Sequence, residues 1–337
     1  MASFKINDLA IELQRFIADY TKIFGLRMAN GFDEKRNGDF TVLPIKDKVG
    51  LVRDATTAVL QPGRTGSTNF TVNNVALASR IGELKPFKGD LLLSEVILYA
   101  WSKAYIAQKK ASDPTDIYSF EALTYYMSRI FAQCGKDITQ AIYKGVYNPT
   151  GGVGGVNLFD GLGAKFLQGF TAVGSGGIGD IPASNVYAAA TTITQANILA
   201  EIQKLVDVVV ADENLAEYVE ENATMYLPFQ HYAAMQAAKA ALTVTTGDQV
   251  VFKGDDGLYR LTILPNTIIK HRPMSNGTQK HFWTPEGNLF FLTPEGAADD
   301  IASITTEKAD RSIKIFLDGE AAVDYAEGRL LVMNNKW

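Results

Sequence analysis

Gly161-Leu-Gly-Ala-Lys165-Phe166 sets a lysine behind two glycines, the composition of a loop that could wrap a phosphate in backbone amides. A phosphate loop of that kind needs G-x-x-x-x-G-K-[ST], because the lysine reaches the phosphates and the following hydroxyl holds magnesium. Here Phe166 stands where the hydroxyl belongs and the first glycine is misplaced, so the match fails. Gly174-Ser-Gly176-Gly-Ile-Gly179 does satisfy the dinucleotide fingerprint. That chemistry requires a strand before the glycines and a helix after them, whose N-terminus takes the pyrophosphate. Asp180-Ile-Pro182 and a polar run follow instead, and the segment reads as a flexible loop.

Other reactive types are equally poorly placed. His231, His271 and His281 form no HExxH pattern and no spacing that converges three ligands, so they read as core or surface side chains. Asp255-Asp256 and Asp299-Asp300 sit in turn-forming sequence, where a solvated carboxylate is the ordinary case. Cys134 falls on an apolar helical face and reads as a small hydrophobe. As the one cysteine it excludes an intrachain disulfide and fits a reducing compartment. No G-x-S-x-G elbow occurs. The expectation is therefore no cofactor, no metal and no enzyme activity.

The elements around these residues read as mixed α and β. The 337 residues are 47% hydrophobic, enough for a sizeable core. Ile6 to Phe24 has one apolar face and predicts an amphipathic helix. Leu91 to Lys109 predicts a second helix. Asp113-Pro114-Thr115-Asp116 is a start signal, with a cap, a proline suited to the first turn and an acid at the positive helix end. Ile117, Phe120, Thr124, Met127, Phe131, Cys134, Ile138 and Ala141 then recur at steps of three and four. A helix from Pro114 to Lys144 would be roughly 45 Å long at 1.5 Å per residue, with Gly135 as a place to bend. Residues 151–179 hold 11 of the 29 glycines. Thr192 to Gln195 fits a capping box for the stripe Ile198, Leu199, Ile202, Leu205, Val206 and Val209. Ala223 to Leu227 predicts a strand, and Pro228 can open an alanine-rich helix to Leu242. The last third reads as β, with a hairpin turn at Asp256-Gly257 and the strand NLFFL between two TPEG turns.

One region stands apart in charge. Residues 38–89 recur in short strand-like runs and carry seven basic against four acidic side chains. That is a local +3, which leaves −8 on the remainder of a chain whose net charge is −5. An acidic chain with one basic β excursion is a poor nucleic-acid binder and a plausible interlocking subunit.

In this order the features resemble the major capsid proteins of tailed bacteriophages, whose fold is named after phage Hong Kong 97. Residues 1–37 resemble that family's N-terminal arm, and GDFTVLPIKDKVGLVRDATTAVLQPGRTGSTNFTVNNVALASRIGELKPFKGD resembles its extended β hairpin, the E-loop. DPTDIYSFEALTYYMSRIFAQCGKDITQAIYKGVYN resembles the spine helix, and NLFDGLGAKF the turn beyond it. TPEGNLFF and IKIFLDGEAAVDYAEGRLLVMN resemble the return strands. The resemblance implies an α+β chain with the arm at 1–37, the E-loop at 38–89, a peripheral domain with the spine helix at 90–155, an axial domain at 156–285 and peripheral return strands at 286–337.

What the resemblance implies for function is a shell: hexamers and pentamers in an icosahedral head that encloses double-stranded DNA without sequence-specific contacts. Assembly would take place in the host cytoplasm, away from any membrane, with portal and decoration proteins as partners. The arm begins almost at Met1, so a scaffolding protein is expected as a separate chain. Arg53, Arg64 and Arg80 are the expected inter-subunit ion-pairing residues of the E-loop, meeting acidic surface on a neighbour. Lys46, Lys48 and Asn69 carry the side chains of a lysine–asparagine crosslink, with no spacing that aligns them with partners. Two alternatives stay open: an encapsulin-type nanocompartment, and an enzyme whose residues converge only in three dimensions.

Overall fold

Among the described residues, alternation of apolar and polar residues over short runs builds two large sheets and a two-stranded ribbon, and apolar steps of three and four lay helices on the sheets. The computed structural model describes residues 38–54, 77–94, 121–152 and most of 154–337, leaving out 213–214, 216–217, 219, 242–249, 275–277, 297–301 and 310–311. Of 95–120 it describes Val96, Ala100 and Lys103, all helical. The expected helix at 6–24 and the Asp113–Asp116 start signal lie outside the described residues.

The first sheet contains β1 (Thr41–Ile45), β4 (Lys85–Leu93), β11 (Leu289–Pro294), β12 (Ala302–Ala309) and β13 (Ser312–Tyr325). β1 runs parallel to β11, and β11 is antiparallel to the last four residues of β13. The first part of β13 lies between β12 and β4, antiparallel to both. One sequence expectation changes here. Leu91–Leu93, read as the start of a helix, closes β4 opposite Ile313–Ile315. The closing run IKIFLDGEAAVDYAEGRLLVM, which reads as two or three strands ending near Asn334, forms two: β13, of 14 residues, and β14 (Val332–Asn334).

The second sheet has the order β5-β14-β10-β6-β9-β8-β7. Its members are β5 (Val186–Tyr187), β6 (Ala223–Pro228), β7 (Val251–Lys253), β8 (Tyr259–Leu261), β9 (Thr267–Arg272), β10 (Phe282–Pro285) and β14 (Val332–Asn334). β14 thus returns to this sheet, although the sequence reading placed all of 286–337 in the peripheral layer. β7 and β8 form the expected hairpin, with Gly257 at φ 80° in its turn.

Among the described residues the α-helices with defined bounds are α1 (Glu121–Lys144), α2 (Leu162–Phe170), α3 (Ile198–Ala211) and α4 (Phe229–Ala241). α1 buries Phe131, Ile138, Ala141 and Ile142 and passes through Gly135 without a break. These residues share one core with Phe159, Leu162 and Phe166 around α2 and with Phe291, Ile315, Val323 and Tyr325 from the first sheet. α3 buries Ile198, Ile202, Leu205, Val206 and Val209 against Met225, Leu227, Ile269 and Trp283. Its cap is Asn197, whose side chain accepts from Thr194 N at 2.7 Å, so the helix starts later than the expected box at Thr192.

β2 (Lys48–Asp54) and β3 (Leu77–Glu83) pair antiparallel over their whole lengths and join no other described strand. Within 38–89 the described two-stranded ribbon is therefore β2 and β3, while β1 and β4 belong to the body.

Candidate functional site

The ribbon has two faces because successive strand residues point opposite ways. Leu51 and Arg80 are cross-strand partners on one face and both are buried. Ile81, one residue along, is 66% exposed on the other. At the ribbon's base Leu84 N donates to Asp47 O at 3.0 Å, and Leu84 packs with Ile45, Leu292 and Ala322. The ribbon is thus seated at its root on β1, β11 and β13.

Beneath it lies a buried charged cluster. Arg80 is 3% exposed. Its Nε donates to Asp324 Oδ1, its Nη1 donates to the Tyr325 hydroxyl at 2.9 Å and reaches Asp180 Oδ2 at 3.4 Å, and its Nη2 reaches Lys165 O at 3.4 Å. The Tyr325 hydroxyl in turn donates to Asp180 Oδ1 at 2.8 Å. Lys165 Nζ lies 3.2 Å from Asp324 Oδ2, an ion-pair distance without hydrogen-bond alignment. In these contacts carboxylates meet cations, which burial requires because an unpaired buried charge is costly. Burial above all holds the Tyr325 phenol far above its ordinary range.

Sequence reasoning offered Arg80 to a neighbouring subunit; in this chain its guanidinium is engaged by Asp324, Asp180 and Tyr325. Arg53 lies on β2 opposite Ala78, with its side chain outside the described residues, and Arg64 lies wholly outside them. Much of the remaining basic charge is also met internally. Glu83 bridges Lys48 at 3.1 Å and Lys85 at 2.9 Å, and Lys88 pairs with Asp90 at 2.6 Å. The local +3 is therefore not all offered outward.

A second clip holds the start of β1. Asp39, buried, accepts from Lys270 Nζ at 2.8 Å, from Arg272 and from the Tyr143 hydroxyl at 3.3 Å. This joins the strand entering the ribbon to α1 and β9.

The glycine-rich segment has a packing reason. A Cβ on Gly161 would collide with Ala141 O and stand 2.7 Å from Ile142 O, so glycine lets α2 start hard against the end of α1. A Cβ on Gly169 would collide with the Tyr325 hydroxyl and stand 2.7 Å from Asp180 Oδ1. The dinucleotide-like run follows α2, begins inside a short turn at Val173–Ser175 and precedes another at Ala183–Asn185, so the strand–loop–helix context is not built. His231 and His281 are buried side by side, whereas His271 is exposed and packs on Phe229 and Tyr232. Among the described residues no group of three or more His, Cys, Asp or Glu could hold a metal. Nor is any described helix long and apolar enough to cross a membrane.

No protein-family model and no curated protein matches the sequence. Solved structures do match. A chain of the satellite phage P4 procapsid superposes with a TM-score of 0.52 at 14% identity, covering 88% of this chain and 92% of that one. A chain from the capsid of Myoviridae phage XM1 gives 0.53 at 12% identity over 90% of each chain. A chain from the capsid of the native GTA particle gives 0.50 at 11% identity, over 88% and 87%. The chain has the α+β capsid fold named after phage Hong Kong 97.

Proposed function

We propose that this chain is a phage major capsid protein, assembling into hexamers and pentamers of an icosahedral head around double-stranded DNA. The observation that carries the reading is the two-stranded ribbon. It pairs with no other described strand, yet is seated by its root on a body whose fold is shared with capsid chains. A ribbon of two strands is marginal alone; lying across a neighbouring subunit supplies the surface it lacks. Arg53 and Arg64 are the side chains assigned to acidic patches on that neighbour. Each exposed pair contributes little, ~0–1 kcal/mol, and the shell repeats it at every subunit.

The rest of the reading follows from the same assignment. Residues 1–37 form the arm, 38–89 the E-loop region, 90–155 the spine and peripheral part, 156–285 the axial part and 286–337 the return, except that β14 closes the axial sheet. The net charge of −5 suits a container, since a strongly basic lining would hold DNA through its phosphates. Scaffolding, portal and decoration proteins are the partners assigned to this assembly, in the host cytoplasm and the virion.

Negative-stain microscopy and light scattering of the purified chain test this. Closed shells are expected, and a monomer that persists at high concentration would end the proposal. Arg64→Glu should lower shell yield and make assembly less salt-tolerant; unchanged yield removes Arg64 from the interface. Particles filled with an enzyme cargo in place of DNA would favour the nanocompartment reading.

A further inference from the structure

We infer that Arg80 is a positioning residue that fixes the direction of the ribbon in the free subunit, before any neighbour is met. It stands within β3 and reaches three pieces of chain far apart in sequence: Asp324 and Tyr325 at the end of β13, Asp180 after the glycine-rich run, and the Lys165 carbonyl on α2. Three anchors that do not lie along one strand constrain the ribbon's roll as well as its seat. The guanidinium is a planar fork with donors in fixed directions, so it can meet all three at one angle of the ribbon only. Its plane also lies over the Tyr325 ring, 4.1 Å from the centroid. Swinging the ribbon would pull the guanidinium away from Asp180 and Asp324, both buried.

Apolar contacts at the root would not do this. Leu84, Leu292, Ala322 and Ile45 form a small cluster that tolerates sliding, because packing of aliphatic groups is non-directional. The charged fork is directional, and its burial penalises every other angle. The relevance to shell building rests on the proposed function; the claim about ribbon direction does not.

Pulsed electron resonance tests it directly. The chain carries Cys134→Ser with spin labels at Asp54→Cys on the ribbon and Asp318→Cys on the body, diluted with unlabelled chain. A single narrow distance population is expected in the parent. Arg80→Met should lose it and give a broad or multiple distribution. Arg80→Lys, which keeps the charge and loses the fork, should broaden it as well. Tyr325→Phe removes one anchor without burying an orphan charge, so it decides the matter if Arg80→Met does not fold. A parent distribution that is already broad, or one unchanged in Arg80→Lys and Tyr325→Phe, overturns the inference. A narrow parent distribution in a chain that never forms shells would sink the capsid reading and leave the latch standing.

Discussion

His231 Nδ1 and His281 Nε2 lie 2.7 Å apart, with the rings edge to face at 86°. On the far side of His281, Nδ1 is 3.2 Å from the Tyr187 hydroxyl, so three polar side chains make one line through the second core. Both contacts are satisfied when both rings are neutral.

Acid should therefore destabilise this protein earlier than its carboxylates alone would. Burial is the main cause that holds both rings below the ordinary 6.5, and His281, the deeper, lies well below it, with His231 adding to the effect. The folded pKa values are depressed, so the unfolded chain binds protons that the native state refuses. Stability is full above about pH 7 and falls as pH drops through 6.5, by up to about 1.4 kcal/mol per pH unit for each ring. Urea denaturation at a series of pH values should trace this slope, and His231→Gln should flatten it. A stability profile level from pH 7.5 to 5.5 would contradict the buried neutral pair.

The charged cluster makes a separate thermodynamic prediction. Arg80→Met removes the guanidinium from Asp180 and Asp324, and breaking a buried network from one side costs about 3–5 kcal/mol. Chemical denaturation measures it. A loss below 1 kcal/mol, on the same scale as an exposed pair, would mean that water reaches these carboxylates.

Gly161→Ala should be costly although the backbone there is extended, because the new methyl meets the carbonyls of Ala141 and Ile142, which cannot swing away as a side chain can. Overpacking of this kind costs about 1–3 kcal/mol. Gly152→Ala, whose Cβ has open space around it, is the control and should be nearly neutral. Thermal unfolding of the pair separates the two.

Cys134 should resist alkylation in the native protein. Burial first, with help from Asp137, pushes its thiol up to about 11, so almost no thiolate exists at pH 8. Iodoacetamide should react on unfolding and not before. Rapid labelling of the native chain would show that this part of α1 opens.

How much of this was legible in the sequence depended on distance along the chain. The stripe of α3, the turn at Asp256-Gly257 and the strand run Ala223–Leu227 were readable because side-chain period and turn chemistry are local. Leu91–Leu93 was not, because an apolar run of that length suits helix or strand, and pairing with Ile313–Ile315 decided it. The glycine-rich run looked like slack in the chain; nothing local reveals that a carbonyl of α1 or a phenol of β13 occupies the space a Cβ would need.

The sequence by itself determined the mixture of elements, their order and an acidic chain with one basic β excursion, since these depend on composition and short spacings. It also determined that Arg80 sits on a strand. Only the tertiary structure decided which way Arg80 faces. A strand residue has two faces open to it, and the choice was made by Asp324, 244 positions away, together with Asp180 and Tyr325. Burial of a charge is set by the groups that close around it, and those groups are assembled by folding.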